Sequence, residues 1–119
     1  MLYFSRWQRK FTYAGRGLAY VTRRELSFRL ELAAVVLGLL LGFLLHFSIL
    51  AWGLFSLTAA VVLAVEIFNT VLERLLDLVE PRLSVHVALL KDLLAAAVFL
   101  VALAAIAIGL MLLRSVATP

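Results

Sequence analysis

Six polar residues on one stretch, Glu66, Asn69, Thr70, Glu73, Asp77 and Glu80, stand three, four, seven, eleven and fourteen positions apart from the first. At about 100° per helical residue they occupy a sector of about 100°, so a helix there carries one acidic face; Arg74 adjoins that face in sequence but should point away from it. Two further clusters, Glu25 with Arg29 and Glu31 upstream and Lys91-Asp92 downstream, stand beside long apolar runs. Carboxylates for a divalent cation, a lysine to offset phosphate charge, an amide, and a base for an attacking hydroxyl are the parts a phosphoryl-transfer site requires. Glu66 resists a bland explanation. It follows an apolar run at 50–65 broken only by Gly53, Ser56 and Thr58, where an unpaired carboxylate is a cost without benefit.

Other members of the set have simpler alternatives. Asp77, Glu80, Arg82 and Lys91 fit a solvated loop and helix ends. Glu25 and Arg29 have the spacing of an i,i+4 helix pair of small value, which stands beside a metal role for Glu25. Glu31 falls about 120° from Glu25, so the two are not expected to share one ligand. His46 reads as a turn residue, because it has no metal-ligating partners nearby in sequence.

The elements that must position these groups follow from composition. Of 119 residues, 66% are hydrophobic and 15% charged, against roughly 45–50% apolar in an ordinary soluble domain. A domain this small buries only about two-thirds of its unfolded surface, so lipid must cover much of the remainder. With no cysteine, a disulfide framework, a thiolate metal site and a cysteine nucleophile are excluded. One domain is expected over 1–119, an all-α membrane protein with three transmembrane helices at about 26–45, 49–79 and 87–113, each of the length a bilayer needs. His46-Phe47-Ser48 is the polar interruption that should turn the chain between the first two, and Glu80-Pro81 should stop the second, since proline cannot donate the next helical hydrogen bond.

Charge orients the spans. The net charge of +4 could suggest nucleic acid, yet seven of the basic residues (Arg6, Arg9, Lys10, Arg16, Arg23, Arg24 and Arg29) precede or open the first span, where they would meet anionic headgroups. No nucleic-acid partner is expected. By the excess of positive charge on cytoplasmic loops, the N-terminus and the second connection are cytoplasmic. All three polar clusters then reach one membrane level. A hydrophilic nucleotide could approach from the cytoplasm while a lipid approached sideways through the bilayer. Residues 1–24 place Phe4, Trp7, Phe11, Ala14, Leu18 and Val21 on one helical side and Arg6, Arg9, Lys10, Arg16 and Arg24 opposite, the pattern of an amphipathic helix lying in the membrane interface. Gly15 and Gly17 could divide it in two. Gly38 and Gly42 form a GxxxG pair whose simplest use is close helix packing. The alanines of the third span, with Gly109, make it slim enough for an oligomer interior. There is no GxxxxGK[ST] loop and no protein-kinase signature, so ATP would bind without a soluble nucleotide fold.

The run from Glu66 through Asn69, Thr70 and Glu73 to Asp77, then Lys91-Asp92 and a small-residue stretch, is similar to the signature of the prokaryotic diacylglycerol kinase family, which includes undecaprenol kinases: E-x-x-N-[ST]-x-x-E-x-x-x-D, then K-D. Glu25 to Glu31 resembles the family's E-x-x-F-R-x-E segment, and Tyr13 to Leu18 its aromatic-x-x-x-Gly-Leu stretch. The resemblance implies a homotrimeric helical bundle in the bacterial cytoplasmic membrane, with each site built partly across a subunit boundary, phosphorylating a membrane lipid alcohol with MgATP. Carried over by position, Glu66 would be the general base and Glu25 and Glu73 would hold Mg²⁺. Asn69, Asp77, Lys91 and Asp92 would complete the nucleotide and phosphate site, with Arg9, Tyr13 and Arg16 as further nucleotide contacts. Ala95 stands where diacylglycerol kinases of the best-known type have serine, and alanine there is closer to the undecaprenol-kinase branch. The rival reading is a small oligomeric transporter or channel whose intramembrane carboxylates bind protons or cations. Its acids should lie near mid-bilayer, whereas these gather at the cytoplasmic edge.

Overall fold

The computed structural model describes residues 2–79 and 84–118, and these form four helices in sequence: α1 (Leu2–Arg24), α2 (Leu26–Leu44), α3 (Ile49–Val79) and α4 (Ser84–Ala117). Glu80, Pro81 and Arg82, where the sequence anticipates the end of the second span, lie outside the described residues. The last three helices are long and apolar enough to cross a membrane. α2 and α4 each pack on α3, and α1 joins the bundle at its C-terminal end through α2.

α1 is one unbroken helix, contrary to the division expected at Gly15 and Gly17. Glycine inside a helix costs only about 1 kcal/mol relative to alanine, and no atom crowds either position, so nothing forces a break there. Trp7 stacks toward Phe11 at 6.5 Å between ring centroids, and the Lys10 ammonium lies 5.1 Å from the Trp7 ring centroid. Phe4, Trp7, Phe11 and Leu18 are all exposed. The helix is anchored at its last turn, where Val21 is buried, as is Phe28 in the first turn of α2.

One residue, Glu25, joins α1 to α2. Its backbone is extended (φ −111°, ψ 112°) and its side chain makes no cap hydrogen bond. Its N–H still donates to the Val21 carbonyl, and its carbonyl accepts from the Arg29 N–H. The Arg29 guanidinium turns back to the Arg23 carbonyl at 3.3 Å, satisfying a helix C-terminal acceptor. The Glu25 carboxylate is thereby left free to face α3.

The turn between α2 and α3 falls where the sequence places it. Leu45 caps α2, His46 takes the left-handed conformation (φ 56°), and the Phe47 N–H donates to the Gly42 carbonyl at 3.0 Å, the six-to-one bond of a Schellman ending. Ser48 then opens α3: its Oγ accepts from the Ala51 N–H at 3.1 Å, an N-cap bond. The GxxxG pair does pack closely, within the chain. A Cβ on Gly38 would overlap the Phe55 ring, and one on Gly42 the Trp52 ring. Trp52 also meets Phe43 and Phe47, so the turn closes on an aromatic cluster.

α4 is longer than the expected 87–113 at both ends. Nothing in Ser84, Val85 and His86 breaks a helix, and Arg114 in the last turn suits the negative end of the helix dipole. The solvent-accessible surface is 9405 Å², against about 6,400 Å² for a folded soluble monomer of this mass. The radius of gyration is 17.9 Å, against about 13.5 Å for a globular chain of this length. A single chain therefore leaves most of its apolar side chains uncovered, as three bilayer-spanning helices would.

Candidate active site

The polar clusters predicted to meet do meet at one end of the bundle. On α3, Glu66 is only 6% exposed and Thr70 is buried one turn below it, its hydroxyl donating to the Glu66 carbonyl at 3.0 Å. Asn69 is half-buried, and Glu73 and Asp77 are progressively nearer the open end and exposed. From α4, the Lys91 ammonium reaches Asp77 Oδ1 at 2.9 Å. From the α1–α2 joint, Glu25 faces α3. The Glu25 and Glu73 carboxylates both lie near enough to Glu66 for their charges to act on it directly. Asp92 is exposed beside Lys91.

Two contacts depart from the sequence reading. Arg74, expected to point away from the acidic face, crosses to Glu25 and donates from Nη2 to Oε1 at 3.1 Å. Glu25 thus pairs with Arg74 and not with Arg29. The cause is the extended Glu25 backbone, which takes its side chain out of the α2 register that an i,i+4 pair requires. Glu31, set aside because of its angle to Glu25, faces Glu66 closely enough for the two carboxyl groups to act on each other electrostatically. Its Oε2 is buried without a hydrogen-bond partner among the described residues. The signal that could have found Glu31 is its charge at the edge of the apolar run that begins at Leu32; its partner on α3 could not be read from spacing.

Glu31 also lies on the wall of an apolar groove of about 330 Å³ between α2, α3 and α4, lined among others by Ala34, Gly38, Phe55, Ala105 and Gly109. Ala34, Ala105 and Gly109 leave space that larger residues would fill. Of the two facing carboxyl groups, Glu31 thus stands on the wall of the groove, and the lysine–aspartate pair lies further along α3, toward its C-terminal end.

Glu25 and Glu73 fit a particular kind of metal binding. Among the described residues no group of three or more histidine, cysteine or acidic side chains forms a self-sufficient cation cage. Mg²⁺ is commonly held by one or two carboxylates with substrate phosphates and water supplying the remainder, so the donor set suits an ion that arrives with a polyphosphate. Arg9, Tyr13 and Arg16 are exposed on α1. Among the described residues no hydrogen bond or ion pair ties them to the acidic cluster of their own chain.

Residues 12–113 match the profile of the prokaryotic diacylglycerol kinases, and the chain belongs to that family, a class of membrane lipid kinases. It is accordingly an enzyme, and the transporter or channel reading is set aside. The chain is 32% identical over 108 residues to an undecaprenol kinase of Bacillus subtilis (strain 168), covering 91% of this chain and 88% of the relative. It is 34% identical over 100 residues to a diacylglycerol kinase of Synechocystis sp. (strain ATCC 27184 / PCC 6803 / Kazusa), covering 83% of this chain and 57% of that relative. No solved structure matches at a significant level.

Proposed function

We propose that the enzyme transfers the γ-phosphoryl group of MgATP to the hydroxyl of a membrane lipid alcohol, diacylglycerol or undecaprenol, at the cytoplasmic face of the bacterial membrane. The observation that carries this reading is Glu66, a buried carboxylate that faces Glu31 on the wall of a hydrocarbon-lined groove and shares its helix with Asp77, which meets Lys91 nearer the open end. The lipid tail lies in the groove and the hydroxyl reaches Glu66, whose carboxylate accepts its proton. The lipid oxygen bonds to the γ-phosphorus as the bond to the β-phosphate oxygen breaks, and ADP leaves. Glu25 and Glu73 are the residues that would hold Mg²⁺, which when bound neutralises charge on the phosphates. Lys91 offsets phosphate charge, Asn69 orients an oxygen through its amide, and Asp77 and Asp92 position the lysine end of the site.

α1 rests in the interface with its aromatic residues toward lipid and its arginines toward headgroups. The functional unit is a homotrimer, in which α1 of one subunit brings Arg9, Tyr13 and Arg16 to the nucleotide on another. Support comes from the resemblance of the motifs, the uncovered apolar surface of the single chain and the exposure of those three residues.

The test is ³²P transfer from MgATP in mixed micelles containing either diacylglycerol or undecaprenol, with Glu66→Gln run beside the wild type. Label in one lipid identifies the acceptor. Removing a general base costs about 10²- to 10⁴-fold in rate, so the variant should be nearly inactive while remaining folded and binding nucleotide. Equal activity in the variant would remove Glu66 from the base role; label in neither lipid would remove both as acceptors.

A further inference from the structure

Two cations beside the acidic face are paired with carboxylates of the proposed site. Lys91 is on Asp77, and Arg74 is on Glu25, the candidate metal ligand. The Lys91 pair links two residues already placed in the nucleotide site. The Arg74 pair does not, because Arg74 has no part in the site so far.

Arg74 is well placed to have one. Its side chain is 58% exposed, while that of Glu25 is 26% exposed, so the guanidinium sits on the open side of the pair. Tyr20 and Asp77 are both within electrostatic reach of it, and it borders the groove between α1 and α3 that Gly17, Tyr20 and Thr70 also line. A guanidinium that already donates to Glu25 Oε1 at 3.1 Å stands beside any polyphosphate whose metal ion that carboxylate would hold. A guanidinium also matches phosphate better than an ammonium does, since its planar fork donates two parallel hydrogen bonds.

We propose that Arg74 is a phosphate-binding residue of the nucleotide site, parked on Glu25 when no nucleotide is present and transferred to the polyphosphate when Glu25 takes up its metal. The proposal rests on the MgATP reading above. It adds a partner exchange: Glu25 gives up one positive neighbour for another, and Arg74 gives up one anion for another, so neither charge is left unpaired at any stage. The same exchange makes Arg74 a competitor of the metal for Glu25 in the nucleotide-free protein.

The experiment uses the full chain in lipid nanodiscs. Binding of the β,γ-imido analogue of ATP with Mg²⁺ is measured for wild type, Arg74→Gln, Arg74→Lys and Glu25→Gln, and binding of Mn²⁺ alone is followed by electron paramagnetic resonance. Losing a charge-assisted hydrogen bond at a partly exposed position should weaken analogue binding about tenfold in Arg74→Gln, with Arg74→Lys recovering part of it. Mn²⁺ alone should bind Arg74→Gln more tightly than wild type, an opposite shift that a merely structural role would not produce. In the unaltered protein, bound analogue should slow modification of Arg74 by phenylglyoxal, a measurement that survives even if the variants fail to fold. Wild-type analogue affinity in Arg74→Gln, or unchanged phenylglyoxal reactivity on analogue binding, overturns the proposal. If Glu25→Gln abolishes the Mg²⁺ dependence of analogue binding while Arg74→Gln behaves as wild type, only the role of Arg74 falls. If Glu25→Gln leaves that dependence intact, the metal assignment falls and the role of Arg74 with it.

Discussion

Glu66 and Glu73 are separated by two helical turns on one face of α3, yet their surroundings differ: Glu66 is buried and Glu73 exposed. Burial suits a group that exchanges a proton with a lipid hydroxyl, and exposure suits one that meets a hydrated ion. Replacing Glu73 with glutamine keeps the shape and removes the charge, so the Mg²⁺ concentration for half-maximal transfer should rise about tenfold, the equivalent of one interaction with a charged group. A Mg²⁺ titration of the Glu73→Gln enzyme checks this, and an unchanged midpoint would take Glu73 out of the metal site. His46 invites a different test. A side chain in the left-handed region costs roughly 1–2 kcal/mol, and a β-branched one is worse still. His46→Val should therefore lower resistance to unfolding by sodium dodecyl sulfate, read from loss of helical circular dichroism, whereas His46→Gly should not.

Among the helices, the α2–α3 pair is the one whose contact depends on absent side chains. Gly42 is buried against the Trp52 ring with the Phe47 ring beside it. A valine there gains a few tenths of a kcal/mol in helix propensity over glycine, while overpacking a filled contact costs about 1–3 kcal/mol. The packing cost wins, so Gly42→Val should unfold at lower detergent denaturant than wild type. Gly15→Ala on α1 meets no neighbour and should be neutral or stabilising in the same assay. A loss in both variants would mean that α1 is covered by a neighbouring subunit at that face. The pairing of Asp77 with Lys91 also belongs at this scale, because it fixes how the first turns of α4 sit against the end of α3.

The whole molecule is thin and spread, with extents of 58 × 47 × 22 Å, and its described spans are almost entirely unburied within one chain. Such a shape leaves most of its apolar surface for lipid to cover, and, in the proposed homotrimer, for other copies as well. If α1 of one subunit serves the site of another, a mixed oligomer of Arg9→Ala and Glu66→Gln subunits should recover activity that neither homogeneous oligomer shows. In that mixture some sites take an intact α1 and an intact Glu66 from different chains. Co-expression followed by the ³²P assay measures this directly. Activity no greater than that of the separate variants would place each site within a single chain.

Much of this was legible in residue order because the relevant physics is local. Helix periodicity put Glu66, Asn69, Thr70, Glu73 and Asp77 on one face, apolar length marked the three spans, and His46 and Ser48 marked the turn between two of them. The ends of α4 were not legible, since hydrophobicity stops at the membrane while a helix continues until something breaks it. The unbroken α1 was missed because a glycine's small local penalty does not decide a helix that has no competing structure. What only the tertiary structure decided lies in contacts between helices: Arg74 on Glu25, Glu31 against Glu66, Phe55 and Trp52 seated over Gly38 and Gly42. Angular spacing describes a residue's place on its own helix. It carries no information about the rotation of the neighbouring helix, nor about a one-residue joint such as Glu25, where an extended backbone turns a side chain out of the helical register and across to a different partner.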